Sequence, residues 1–394
     1  MRPTLPTAWA IACLLLPLAV AAQDRSGQRQ LPTYTRTLLL NSTPDTSANV
    51  SVGDINGDGK LDVLLVNGRH WGGRSMVMLG DGHGHFPGVY PLTADRYRSY
   101  SGQLVDLDGD ADFDVVLSND TPDPKVIFLN DGSGHFGAGG QFGRPEWRTR
   151  NVAVADLNRD GLSDIIVANR AANAIAYICL NQGHGRFTAD CAGFAHISAT
   201  TITPADVNRD GLFDLVVPAR DGGQSVVYLN DGKGDFAAAK TVPFGPPNAT
   251  IRMAQVADFD GDGIPDIVVI DDEHRSVEVY FGQRDGSFAA SLPLDDRGAM
   301  PYALAVADLN RDGAIDIVVG NVQAPAIAFF NDGGGRRYSP VSFGDNSGAV
   351  YGFAIADLDG DGILDIATAR SEAPSVVYFG GMVTGSRSGP TRRP

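Results

Sequence analysis

Basic charge, cysteine and long apolar runs are all scarce in this chain. Lysine and arginine total 31 against 47 aspartates and glutamates, a net charge of −16. So acidic a surface excludes nucleic acid as a partner, because a phosphate-binding face must be basic. Only three cysteines are present, and Cys13 lies in the apolar opening segment. The other two, Cys179 and Cys191, flank the turn "NQGHG", a spacing that allows a cross-hairpin disulfide in an oxidising compartment. Past the opening segment no apolar stretch is long enough to span a bilayer, so no membrane span is expected. The opening segment itself reads as a secretory signal over residues 1–22. Arg2 is its charged start, Ala8 to Val20 its apolar centre, and "AVAAQ" its small-residue cleavage site. The expected location is therefore secreted or periplasmic.

What remains is ordinary in bulk and unusual in pattern. Hydrophobic residues make up 43% and charged residues 20%, ample for a core. Glycine is frequent at 48, much of it in Asp-Gly turns, which favours an all-β chain. One pattern, D-x-[DN]-x-D-[GA]-x-x-D, starts at Asp54, Asp106, Asp156, Asp206, Asp258, Asp308 and Asp357, at offsets of 52, 50, 50, 52, 50 and 49. A fixed period of this length marks a repeat architecture. Each unit has a short apolar stretch, the acidic loop, a β-branched run such as "DIIVA", another apolar stretch, and a turn such as "LNDGSGHF" at Leu129 to Phe136. Short Val- and Ile-rich runs bounded by Gly and Asp turns are strands. Four strands in about fifty residues make one propeller blade, so the reading is a seven-bladed β-propeller over residues 34–380. The last unit lacks a fourth strand, and "YTRTLLL" at Tyr34 to Leu40 is a spare one. The N-terminal strand is therefore expected to close the ring and hide a sheet edge. Residues 23–33 read as a linker, and 381–394 as a disordered tail without a core-forming pattern.

Carboxylates packed this closely repel one another unless a cation offsets them. Oxygen donors at positions 1, 3, 5 and 9, with the position-7 carbonyl, suit calcium, a hard cation that takes six to eight oxygens. The first loop offers Asp54, Asn56, Asp58, Lys60 and Asp62, and the second Asp106, Asp108, Asp110, Asp112 and Asp114. The third offers Asp156, Asn158, Asp160, Leu162 and Asp164, and the fourth Asp206, Asn208, Asp210, Leu212 and Asp214. The fifth offers Asp258, Asp260, Asp262, Ile264 and Asp266, and the sixth Asp308, Asn310, Asp312, Ala314 and Asp316. The seventh offers Asp357, Asp359, Asp361, Ile363 and Asp365, giving about seven calcium sites. Zinc and copper would need His or Cys, which these loops lack. An EF-hand is excluded because position 12 holds strand residues such as Leu65 and Val167 instead of glutamate.

With these loops in register, the sequence resembles the FG-GAP (VCBS) repeat family, the calcium-loop β-propellers also found in integrin α-subunits. The resemblance spans roughly Tyr34 to Gly380. It implies the fold and calcium on the residues just named. It implies function only loosely, since members include adhesins, lectin-like binders and a few lyases. Two departures stand out: Ala111 where the turn prefers Gly, and Pro265 at position 8 of the fifth loop.

A ligand is expected on the face opposite the acidic loops. Tyr100, Arg150, Arg252, Tyr302 and Tyr351 stand six residues before their loops, and Asn119, Asn169, Asn321 and Arg370 five residues after. Such a set suits a glycan or a protein, with rings to stack on and amides to hydrogen-bond. The alternative is that Asn and Arg at strand ends satisfy loop backbone. Arg69, His70 and Trp71 lie nearby. No nucleophile motif is present and the paired carboxylates are committed to calcium, so no catalytic residue is assigned. The leading expectation is a binding or adhesion module; the alternative is a polysaccharide lyase or dehydratase on the same scaffold.

Overall fold

The computed structural model describes residues 31–382. The proposed leader, most of the linker and nearly all of the expected tail lie outside the described residues. The described residues contain strands and turns and no helix. Four separate sheets each hold four sequential antiparallel strands, over 99–142, 149–195, 203–244 and 251–294. The other strands join into one twelve-stranded sheet with two more such runs and a third made of three sequential strands and the N-terminal one. Two small pairings link these runs, Val322 with Ala349 and Thr46 with Ser371.

Each unit follows from its sequence. The run after the acidic loop, such as Asp164–Asn169, is buried at every position. It is covered on both faces, which is why it reads as continuous Val and Ile without alternation. Apolar cores lie between units. Leu64, Val66 and Val77 pack against Val115, Leu117 and Phe128 of the following unit. Each such side chain contributes about 1.5–3 kcal/mol when fully buried. Successive first strands also bond directly, as from the Ser51 hydroxyl to the Gly102 carbonyl (2.8 Å) and from Thr203 to Ala254 (2.7 Å).

The N-terminal strand runs Thr33–Leu39 and pairs antiparallel with Val376–Gly381, one residue off the expected limits. Tyr34 is buried beside Phe343 and Tyr378. Cys179 and Cys191 are disulfide-bonded with Cα atoms 4.4 Å apart, joining the third strand of their unit to the residue just before the fourth.

Candidate functional site

The first strands carry two different ends. At a rise of about 3.3 Å per residue, the acidic loop lies roughly 20 Å from the residue six positions earlier. The two ends are therefore separate sites.

At the loop end the geometry repeats. In every loop the position-6 amide donates to the first aspartate, as Gly59 to Asp54 (2.8 Å), Gly161 to Asp156 (2.9 Å) and Gly362 to Asp357 (2.9 Å). The position-7 amide donates to the position-5 aspartate, as Leu162 to Asp160 and Ile264 to Asp262. The loops are thus preformed by their own Asx turns. Their carboxylates converge: ligand oxygens of Asp106, Asp108 and Asp114 lie within 4.8 Å of one another, as do those of Asp258, Asp260 and Asp262 and of Asp357, Asp359 and Asp361. An oxygen-only donor set of this kind fits calcium chemistry.

The position-9 aspartate does more than the sequence suggests. Asp164 is fully buried; one oxygen accepts the Leu157 amide (3.1 Å) and the other the Asn181 amide (2.9 Å). The arrangement recurs from Asp62 to Asp365. Burial pushes the Asp114, Asp164, Asp214, Asp266 and Asp365 carboxyls up to about 6, against the pull of those amides. A carboxyl so placed favours a proton or a nearby cation.

Two further features escape sequence reading. Position 4 is left-handed in every loop, and in three loops the residue there is arginine: Arg159, Arg209 and Arg311, at φ 62°, 62° and 56°. Arg159 donates to the Gly211 carbonyl (3.3 Å) and Arg209 to that of Gly263 (2.5 Å), each reaching the next loop. The asparagine of the "LND" or "FND" turn also crosses units: Asn130, Asn230 and Asn331 donate to the backbone of Ile55, Leu157 and Phe259 in a preceding acidic loop. Its recurrence in register was the available signal. The departures are absorbed. Ala111 takes φ 77°, and Asp114 keeps both amide bonds. With Pro265 in the fifth loop, Asp266 does likewise. Charged neighbours differ by loop: Lys60 holds Asp58 at 3.2 Å, Arg336 lies 3.8 Å from Asp260, and Arg36 pairs with Asp359.

At the other end the tyrosine candidates, Arg150 and Arg252 converge, and Arg370 and the asparagines do not. The Arg252 guanidinium lies 3.3 Å from the Tyr302 ring centroid, Arg69 4.0 Å from that of Tyr351, and Arg150 4.4 Å from that of Tyr100. Tyr351 donates to the Tyr302 hydroxyl at 3.3 Å. Burial would raise the Tyr302 phenol, but the Arg252 charge and the Tyr351 hydrogen bond hold it below its ordinary value. Arg150 pairs with Asp120 at 2.9 Å, and Arg220 with Asp272 at 2.8 Å. Tyr100, Arg150, Arg252 and Tyr351 line a cavity of about 430 Å³ between the first strands. Beside it, His70 contacts Tyr100 edge-on, and Trp71 is 62% exposed.

Asn119, Asn169 and Asn321 are buried inside their units instead. Their amides donate to the turn carbonyls of Pro124, Ile175 and Pro325. Satisfying the loop backbone is thus the role the structure gives them. Arg370 is buried as well, held by Asp345 and the Ser347 carbonyl.

The FG-GAP-like repeat pattern matches residues 54–117, 106–167, 156–217, 206–269, 258–319 and 308–368. The chain belongs to the FG-GAP-like repeat family. No curated protein sequence is significantly similar to it. Solved structures share the fold at low identity. A lectin from Agrocybe aegerita, described as recognising non-reducing terminal N-acetylglucosamine, is 20% identical with a TM-score of 0.56, over 84% of this chain and 87% of the lectin. BBS1N, solved in complex with ARL6DN, is 11% identical at 0.60, over 89% of this chain and 98% of its own. YCF48 from Cyanidioschyzon merolae is 11% identical at 0.55, over 87% and 98%. The FG-GAP-like chain is thus a repeated four-stranded β-propeller protein with no helix, among the described residues, long and apolar enough to cross a membrane.

Proposed function

We propose that the chain is an exported, calcium-stabilised binding module. Seven four-stranded blades form a closed ring, each acidic loop holds one calcium ion, and the opposite end of the ring recognises a glycan or a protein. Closure is supported by Leu40, Leu358 and Phe379 of the last unit packing on Val50, Val63 and Leu65 of the first. It is supported again by the contact between Asp45–Gly53 and Ala349–Ala356. Calcium supplies the positive charge that lets carboxylates converge. Export agrees with the disulfide and with loops suited to extracellular calcium levels.

One observation carries the binding role: the first strands end in seven similar loops yet begin in dissimilar arginines and tyrosines around one cavity. Ring structure explains the repeated end. A ligand explains the varied one. The scaffold carries saccharide recognition in the Agrocybe aegerita lectin and a protein complex in BBS1N, so the fold alone does not choose. The exposed Trp71, in a ring contact with His70 that leads to Tyr100 at the cavity, favours the glycan. The test is retention on a glycan array in calcium and again in chelator. Retention only in calcium supports the module; an unfolding curve indifferent to chelator sinks it.

A lyase remains a second reading because the acidified Tyr302 phenol could act as a base. Incubation with any retained polysaccharide should then yield an unsaturated product.

A further inference from the structure

The charge of the axial cavity is not a consequence of the repeat. Arg150 and Arg252 line it, and among the described residues no aspartate or glutamate does. In a chain of net charge −16 that is a local reversal of sign. Low-dielectric walls focus such a field and draw in an opposite charge. The Arg252 guanidinium is also incompletely neutralised. Arg252 is only 6% exposed, yet Asp272 lies 3.7 Å from it and is shared with Arg220 at 2.8 Å. Arg150 has Asp120, Arg220 also reaches the exposed Glu273 at 3.3 Å, and Arg69 has no carboxylate partner among the described residues. Thr200 and Thr201 line the same cavity with buried hydroxyls that lack a hydrogen-bond partner among the described residues. Two cations, two idle hydroxyls and the amides of Gln103 and Asn151 form a donor-rich pocket.

We propose that this cavity takes the oxyanion, carboxylate or sulfate, of an acidic saccharide. Arg150 and Arg252 face the anion, the threonine hydroxyls donate to it, and Trp71 stacks on a neighbouring sugar ring. Arginine suits this task because its planar fork matches an oxyanion in two-point contact. The proposal rests on the glycan branch of the function above and names its charge.

The test is an array carrying uronate-bearing, sulfated and matched neutral oligosaccharides, probed with the full chain in calcium. Two variants accompany it, Arg150→Gln and Gln103→Glu. The second leaves the Arg150–Asp120 pair intact and places a carboxylate in the cavity, which guards against a misfolded first variant. Retention of acidic sugars over their neutral matches is expected, with each variant weakening it about 10- to 100-fold. The uronate and sulfated arms show which oxyanion fits. Retention of neutral sugars alone overturns the anion site and leaves the glycan reading intact. Retention of acidic sugars unaffected by both variants overturns the location. Retention of nothing overturns both readings.

Discussion

The two ends of the first strands follow opposite rules. Before the loops stand Ala48, Tyr100, Arg150, Thr200, Arg252, Tyr302 and Tyr351, no more than three of them alike; after the strands the same loop returns seven times. Within one chain, what repeats is what every unit needs, and what varies is free to be specific. The loop end must bend the chain, feed two amides onto a buried aspartate and hold converging carboxylates. The varied end faces one shared cavity, so its residues need only suit one another and a ligand. Stability should therefore reside at one end and recognition at the other.

Calcium removal should break the comparison most forcefully. At about ten times its dissociation constant, an ion bound only to the native state adds about 1.4 kcal/mol per site. Seven filled loops then add about 10 kcal/mol, comparable to the whole stability of a typical domain. Chelation should lower the melting temperature steeply and calcium should restore it. An identical melt in chelator, on protein shown to be metal-free, would remove the loops from any role in stability.

Two aspartates of one loop sharpen the comparison within the loop end. Asp156→Ala removes the first donor of an exposed loop and should lower calcium stoichiometry by about one, since each repeat is local. Asp164→Ala should do more. It strands the Leu157 and Asn181 amides in the interior, at about 1–3 kcal/mol each, with or without calcium. Melting both variants in chelator checks this. Equal curves would mean that the position-9 carboxylate serves the metal alone.

At the varied end, Trp71→Ala should leave the melt unchanged, because the ring is largely exposed. Affinity for a retained ligand should fall by about 2 kcal/mol, or roughly 30-fold, the usual weight of an aromatic anchor. His83→Ala with His135→Ala, on the exposed turns of the loop end, should bind normally. The reverse pattern would move recognition to the loop end.

The sequence showed whatever depends on local pattern. Period, strand runs, acidic loops and the spare N-terminal strand were all legible, because each is specified by residues near in the chain. Contacts between units were not. Arg209 reaches the Gly263 carbonyl and Asn130 the Ile55 carbonyl over separations of 54 and 75 residues. Register placed Asn119, Asn169 and Asn321 at the correct strand ends but not their burial beneath the turns. Nor could register show that Arg252 lies over Tyr302 or that Arg370 turns instead towards Asp345.

The smallest effect comes from the one loop that departs at position 6. Ala111 holds φ 77° where six loops have glycine, and a Cβ disfavours that backbone by about 1 kcal/mol. The strain is accepted in place, since the Leu107 and Asn130 amides reach Asp114 at 2.9 Å each. This loop also carries five carboxylates, and no cationic side chain pairs with Asp108 or Asp112 among the described residues. Burial and the neighbouring Asp110 push the Asp108 carboxyl above its ordinary value. The second loop should thus be the hardest to fold empty and gain the most from a cation. Ala111→Gly should raise stability by up to about 1 kcal/mol, less the added freedom of the unfolded chain. Arg209→Gly relieves similar strain but loses the bond to the next loop, so its net change should be smaller or negative. Calorimetry of both variants with calcium decides the matter: if Ala111→Gly gains no more than Arg209→Gly, backbone strain does not separate the second loop from the others.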